Sequence, residues 1–149
     1  MKTIHADIEN YSARCDALLL NKHFKALLDE AAEHIIQIEV AELYDTAHDL
    51  ILLDVREPEE FASGYIDAKE VLAIPRGKLE FMAIDKIAKV YGQDIKIVTY
   101  CLKGPRGLLA AYQLKKLGFT NVVNLKGGIL NWLHSGNTIH NYLGRLSLA

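Results

Sequence analysis

The residues best equipped for chemistry lie together in one stretch, "IVTYCLKGPRGLLAAYQLKKLGF", Ile97 to Phe119. A run of β-formers stops at Cys101, a short loop with two glycines and a proline follows, and a helical pattern begins at Pro105. Ligands in open α/β sheets gather at the carboxyl ends of strands, and Cys101 is at such an end. With Pro105 and Arg106 opening the helix, the sulfur faces unpaired backbone N–H groups and the positive end of the helix dipole. That setting favours the thiolate, the form that attacks and is attacked. Gly104 and Gly107 let the backbone curl around an anion with no Cβ in the way. Pro105 removes one N–H but presets helical φ, so the expected donors are the amides of Lys103, Gly104, Arg106 and Gly107. Lys103 and Arg106 add positive charge for an anionic substrate, and Arg is able to grip two oxygens at once. A buried thiol at a tight strand–helix junction would require neither the two cations nor the two glycines. Cys101 therefore reads as a reactive thiol, and Leu102, Lys103, Gly104, Pro105, Arg106 and Gly107 as the loop that binds its substrate.

Other candidate groups carry less. Cys15, the second of two cysteines, sits in a helical pattern with no glycines or helix-entry residues beside it. It reads as a small hydrophobe, and two cysteines are too few for a disulfide scaffold. The six histidines form no pair at helical metal spacing and there is no CxxC, so no metal site is expected. Glu57, Glu59 and Glu60 could be taken for an acid/base pair, but their crowding beside Pro58 suits a helix start, where the dipole favours carboxylates.

These groups must be positioned by a chain of 149 residues, half of them hydrophobic and 24% charged, the size and composition of one soluble domain. A net charge of -2 argues against a nucleic-acid or anionic-membrane binder. The N-terminus has no apolar stretch of signal-peptide type, and no apolar run approaches the about 18 residues of a membrane span. A cytoplasmic location is the expectation.

Residues Ser12 to Ile35 carry Leu20, Phe24, Leu27, Leu28, Ala31 and Ile35 at helical spacing, a face expected to pack on the domain, with a partner or dimer contact as the sharper alternative. "IIQI" reads as a short strand and "EVAELYDTAH" as a helix. "LILLDV", Leu50 to Val55, is the near-continuous apolar run of a strand covered on both faces. "REPEEFASG" is a helix start, "EVLAIP" another strand, and "GKLEFMAIDKIAKVYG" helical. "DIKIVTY" leads into the cysteine loop, and its following helix closes with Gly118 in the C′ position. "NVVNL" is the last strand, and "KGGILNWLHSG" turns at Gly127–Gly128 into a final helix bearing Trp132. The tail after Gly136 is poorly patterned and is expected to fray or to dock on a neighbour. Strands alternating with helices of this length predict a parallel sheet with helices on both faces.

The run "LLDVREPEEFASGYI", the loop "CLKGPRG", the segment "LKKLGFTNVVNLKGG" and Trp132 together resemble the single-domain rhodanese-like sulfurtransferases, over roughly 35–136. A helical extension, 1–34, would precede that domain and a tail, 137–149, would follow it. The extension and "IPRGKLEF" resemble one bacterial subgroup of these proteins. The resemblance implies an α/β fold with a five-stranded parallel sheet flanked by helices, and a cysteine that cycles between thiolate and persulfide. Carried onto this chain, Cys101 would take the outer sulfur of a donor such as thiosulfate and pass it to cyanide or a thiol, with no cofactor. A protein acceptor and a homodimer through the N-terminal helix are further expectations. Thiosulfate-preferring members have two basic residues after the cysteine; here Leu102 breaks that pattern and Lys103 keeps it. Asp54 and Arg56 match the family's Asp–x–Arg and are expected to fix loop geometry and charge from behind it. Tyr65 stands where the family usually has His, "DAK" (67–69) replaces a Pro-Gly-Ala turn, and Gly107 replaces a common Ser. The first two departures should affect packing, and the third removes a hydroxyl near the helix start.

Three rival readings remain open at this point. A cysteine phosphatase or arsenate reductase of similar fold would place five residues between Cys and Arg; here only Leu102, Lys103, Gly104 and Pro105 intervene, and no acid in the loop could protonate a leaving alkoxide. A non-catalytic or sulfur-relay module is the second, although inactive domains of this kind typically lack the cysteine. "GPRG" is superficially similar to the GXXG clamp of KH domains, but that loop joins two helices and this one follows a strand.

Overall fold

In a computed structural model, residues 21–46 and 49–148 are described. Cys15 and positions 12–20 of the expected N-terminal helix lie outside them. The first described helix, α1, is Lys22–His34, and the residue before it caps it: Asn21 accepts from the amides of His23 and Phe24, both at 3.0 Å. The cap sets the start of α1 at Lys22. Leu28, Ala31 and Ile35 are buried on its inner face, while Leu27, from the same expected stripe, stays exposed.

The central sheet contains β1 (Gln37–Ile38), β2 (Leu50–Asp54), β3 (Glu70–Ala73), β4 (Lys96–Tyr100) and β5 (Val122–Leu125). Its order is β1-β5-β4-β2-β3 and every pairing is parallel. The five-stranded parallel sheet of the α/β class is present as expected, with helices on both faces. The central position of β2 and β4 explains their continuous apolar sequences, since both faces must be covered.

Among the described residues the sheet is covered by α2 (Val40–Thr46), α4 (79–91), α5 (Pro105–Lys116) and α6 (Gly128–His134). Residues of α4 and α5 (Leu79, Ile87, Ala110, Leu114) pack with Ile51, Leu53 and Ile97 on one face. Leu43 of α2 and Ile129 and Trp132 of α6 pack with Leu50, Leu52 and Val98 on the other. α1 lies outside α5, its apolar face closed by Leu108 and Ala111. Between β2 and β3 runs the short α3 (Pro58–Ser63), with Pro58 at its first position as the sequence suggests. α5 closes through the amides of Gly118 and Phe119, which donate to the carbonyls of Lys115 and Leu114, both at 3.1 Å.

Two features depart from expectation. The segment "GKLEFMAIDKIAKVYG" is not one regular helix: a 3₁₀ turn, Arg76–Lys78, precedes α4, and α4 holds a π-helical stretch, Ile84–Ala88. Much of the tail after Gly136 has regular structure where its sequence shows little pattern. Strands β6 (Ile139–Asn141) and β7 (Gly144–Leu146) form an antiparallel hairpin. It docks on the domain by a reciprocal backbone pair: Tyr65 N–H donates to His140 at 2.9 Å, and His140 N–H to Tyr65 at 2.8 Å. Among the described residues no helix is long and apolar enough to cross a membrane.

Candidate active site

β4 ends at Tyr100, and the next residue, Cys101, is at the carboxyl edge of the sheet, 1% exposed. Its side chain points to the α4/α5 face, among Val55, Ile74 and Leu79. The loop then turns sharply, and the N–H of Gly104 donates to Cys101 Sγ at 3.1 Å. Gly104 is the N-cap of α5 and, having no side chain, leaves the first turn of that helix without a side-chain cap. The amino end of α5 and the positive end of its dipole therefore open on the cysteine loop.

The other side of the loop is held by α6. Ile129 N–H donates to the Cys101 carbonyl at 2.9 Å and Leu130 N–H to the Leu102 carbonyl at 3.1 Å. Gly128 makes this approach feasible, because its φ is +64° and a Cβ there would lie 2.5 Å from both carbonyl oxygens. The sequence reading treats Gly127–Gly128 as a turn only; the signal available was a glycine pair immediately before the helix that follows the last strand.

Leu102, where the thiosulfate pattern has a base, is half-buried against the cluster containing Ile129 and Trp132. Lys103 and Pro105 are half-buried. Arg106 does not present a vacant fork: it holds both carboxylate oxygens of Glu60, at 2.9 and 3.0 Å. Glu60 is accordingly more than a helix-start carboxylate, and the helix-dipole reading misses this role. Gly107 lies against β5, where a Cβ would meet Asn124 Oδ1 at 2.3 Å, so the space open to a serine side chain is already filled.

Asp54 and Arg56 form a buried pair on the opposite face. Arg56 Nε is 3.0 and 3.1 Å from the two carboxylate oxygens, Nη2 is 2.7 Å from Asp54 Oδ2, and Nη2 also donates to the Gly64 carbonyl at 2.7 Å. Burial alone would lower the Arg56 pKa, but the hydrogen bond and charge of Asp54 outweigh it and hold it above its ordinary value. Asp54 pairs in register with Tyr100, whose hydroxyl accepts from Ile66 N–H at 3.2 Å and whose ring lies 5.7 Å from Arg56 Cζ. Burial first, and then the Asp54 charge, push that hydroxyl well above the usual tyrosine range. The pair therefore grips Tyr100, the residue before Cys101, and the 64–66 segment. Its route to the loop is indirect, through Tyr100 and through the field it shares with Glu60. Tyr65, in the family's His position, stacks on Phe61 with ring centroids 4.6 Å apart.

Two buried polar residues carry no signal in the sequence reading, Thr99 on β4 and Asn124 on β5, both 0% exposed. They are register partners beneath the first turn of α5.

Comparison with known proteins places this geometry in a family. A "Putative thiosulfate sulfurtransferase, mitochondrial" of Schizosaccharomyces pombe is 37% identical over 90 residues, 55% of this chain and 62% of that protein. The match takes in 23% of two longer bacterial relatives, so the chain corresponds to part of those proteins. A "Sulfurtransferase" of Allochromatium vinosum is 35% identical over 63% of this chain and 80% of its own length. Among solved structures, a Rhodopseudomonas palustris protein of unknown function, named a possible tyrosine phosphatase, has a TM-score of 0.68 at 34% identity, covering 78% of this chain and 93% of that one. The family model of the Rhodanese-like domain matches residues 22–135, from the start of α1 to the end of α6. With the matched region spanning sheet, cysteine loop and both supporting helices, the chain belongs to the rhodanese-like domain family.

Proposed function

We propose that this chain is a sulfurtransferase that carries sulfane sulfur as a persulfide on Cys101. The thiolate attacks the outer sulfur of a donor such as thiosulfate. The donor S–S bond breaks, its electron pair leaves with sulfite, and a Cys101 persulfide forms. A thiophilic acceptor, cyanide or a thiolate, then attacks the terminal sulfur, and the electron pair of that S–S bond returns to Cys101 as the thiolate. No net oxidant is required and no cofactor enters. The observation that carries this reading is the Gly104 amide on Sγ at the mouth of a helix without a side-chain cap. Such a donor stabilises negative charge on the cysteine sulfur and on the sulfur it receives. Asp54 and Arg56 support the strand end, and Lys103 supplies positive charge near an anionic donor. A protein acceptor, a homodimer and a cytoplasmic setting belong to the same proposal.

The test is intact mass after incubation with thiosulfate, wild type beside Cys101→Ser. Gain of the mass of one sulfur with release of sulfite, in wild type alone, supports the reading. No gain in either protein removes it. A phosphatase is the second reading, favoured by the name of the Rhodopseudomonas structure. Only four residues separate Cys101 from Arg106, whose fork is engaged by Glu60, which disfavours a seat for a tetrahedral phosphate. Hydrolysis of p-nitrophenyl phosphate that depends on Cys101 would reverse that choice.

A further inference from the structure

The active loop is held from above by α6, and the contacts that hold it from below come from residues no motif marks. Gln37, Asn124 and Thr99 stand in register across β1, β5 and β4, forming a polar row across three strands. Asn124 Nδ2 donates to Gln37 Oε1 at 3.2 Å and to the Gly104 carbonyl at 3.3 Å. Thr99 Oγ1 donates to the Gly107 carbonyl at 2.8 Å, with Asn124 Oδ1 at 3.1 Å and the Val123 carbonyl at 3.3 Å as alternative acceptors. The Asn124 amide has one sensible orientation, because the Gly104 carbonyl can only accept. Gly104 is thus fixed at both ends: its carbonyl takes Leu108 N–H at 2.9 Å and Asn124 Nδ2, while its own N–H lies on Cys101 Sγ.

Asparagine is a poor strand former, and a buried amide is costly unless its donors are met. An apolar side chain would suit β5 better if packing were the whole requirement. We propose that Asn124 is a positioning residue of the sulfur loop, holding the Gly104 carbonyl from within the sheet so that the Gly104 N–H stays on Cys101 Sγ. Thr99 does the same for the second peptide carbonyl of the turn, that of Gly107. Asn124 touches neither donor nor acceptor; it acts through Gly104. The proposal rests on the sulfur-transfer reading for its consequence in turnover, and on geometry alone for its consequence at the thiol.

The experiment compares wild type, Asn124→Leu and Thr99→Val. Leucine keeps the branching of Asn124 in a larger side chain and removes both donated bonds; valine is isosteric with threonine and removes the bond to Gly107. Three quantities are read: the unfolding midpoint, the rate constant and half-saturating thiosulfate concentration for sulfur loading by intact mass, and the rate of Cys101 alkylation by iodoacetamide. For Asn124→Leu the loading rate constant at saturating donor should fall about tenfold, the scale of one lost net hydrogen bond, with the half-saturating concentration within about twofold of wild type. Alkylation should slow as well, measured well below the unfolding midpoint so that both rates report on the folded protein. A merely structural Asn124 would move the midpoint and leave both rates alone. Folded Asn124→Leu with wild-type loading and alkylation overturns the proposal. Should that variant fail to fold, Thr99→Val decides: unchanged rates overturn the proposal, slowed loading supports it. Should wild type itself accept no sulfur, the sulfurtransferase reading falls, and the alkylation rates alone judge the positioning role.

Discussion

Replacing Gly128 by alanine puts a methyl group where α6 meets the cysteine loop. The cost has two parts. At φ +64° an L-residue is held in the left-handed region, a strain of about 1–2 kcal/mol. The Cβ would also lie 2.5 Å from the carbonyl oxygens of Cys101 and Leu102, where ordinary contact begins at 3.4 Å, so loop or helix must retreat by about 0.9 Å. That retreat stretches Ile129 N···O Cys101 from 2.9 Å and Leu130 N···O Leu102 from 3.1 Å beyond useful hydrogen bonding. At about 1 kcal/mol net for each bond, the total is about 3–4 kcal/mol, a large share of a domain's usual 5–15 kcal/mol. A misplacement of about 1 Å at a reacting group costs about 100-fold in rate, and the loop that moves carries Cys101. The control is Gly127→Ala: φ is +76°, so the backbone strain is similar, but the three atoms nearest its Cβ all belong to the Asn131 side chain, Asn131 Cβ at 2.7 Å first, so the clash falls within α6 and not on the cysteine loop. Denaturant unfolding should separate the two variants by up to about 2 kcal/mol, the two hydrogen bonds less whatever the Asn131 contact costs Gly127→Ala. Sulfur loading should fall about 100-fold in Gly128→Ala and stay near wild type in Gly127→Ala. Equal stability and equal loading in the two variants would refute the claim that α6 positions the loop.

Leu102→Lys restores the basic pair after the cysteine; the half-saturating thiosulfate concentration should fall several-fold, while stability drops by about 1 kcal/mol as a half-buried leucine leaves the Ile129–Trp132 cluster. Steady-state loading and unfolding measured side by side check this, and an unchanged half-saturation would remove charge at position 102 as a determinant of donor affinity. The Tyr100 hydroxyl, raised by burial and then by the Asp54 charge, keeps its proton in the folded state. An unfolded tyrosine ionises near about pH 10, so the stability from this group is complete below that pH and is lost as pH rises above it. The difference in tyrosinate absorbance between wild type and Tyr100→Phe should appear only with unfolding; a reversible titration near pH 10 in folded protein would contradict it.

What could be read from the sequence follows from how local the causes are. Strands β2 and β4 announce themselves because burial on both faces demands unbroken apolar runs, and Cys101 stands out because a strand end, two glycines and two cations adjoin it. The hairpin β6–β7 left no such trace, since its residues are half-buried or exposed and need no alternation. The start of α1 was legible in Asn21, a good cap, but the apolar spacing upstream masks it. The Arg106–Glu60 pair joins residues 46 apart, and nothing local tells a helix-start glutamate that it will meet an arginine. Asn124 and Thr99 are isolated polar residues within strands, and only the register of β4 with β5 shows that they share a row beneath α5.

That row spans a long stretch of chain. Asn124 and Gln37 are 87 residues apart in sequence, and closing a loop of that length costs about 4 kcal/mol of chain entropy, before constants, by (3/2)RT ln n. β4, α5 and β5 form a much more local unit, so β1 is expected to dock late, onto a sheet already assembled. The amide of Asn124, which donates to the Ile36 carbonyl at 3.1 Å, should then gain protection from hydrogen exchange after the amides of β4 during refolding. The polar row beneath the sulfur loop would be completed last, when Gln37 meets Asn124. A nascent or partly unfolded chain would carry the same thiol without its ordered cradle, so the control over where that thiol reacts would mature only with the complete sheet.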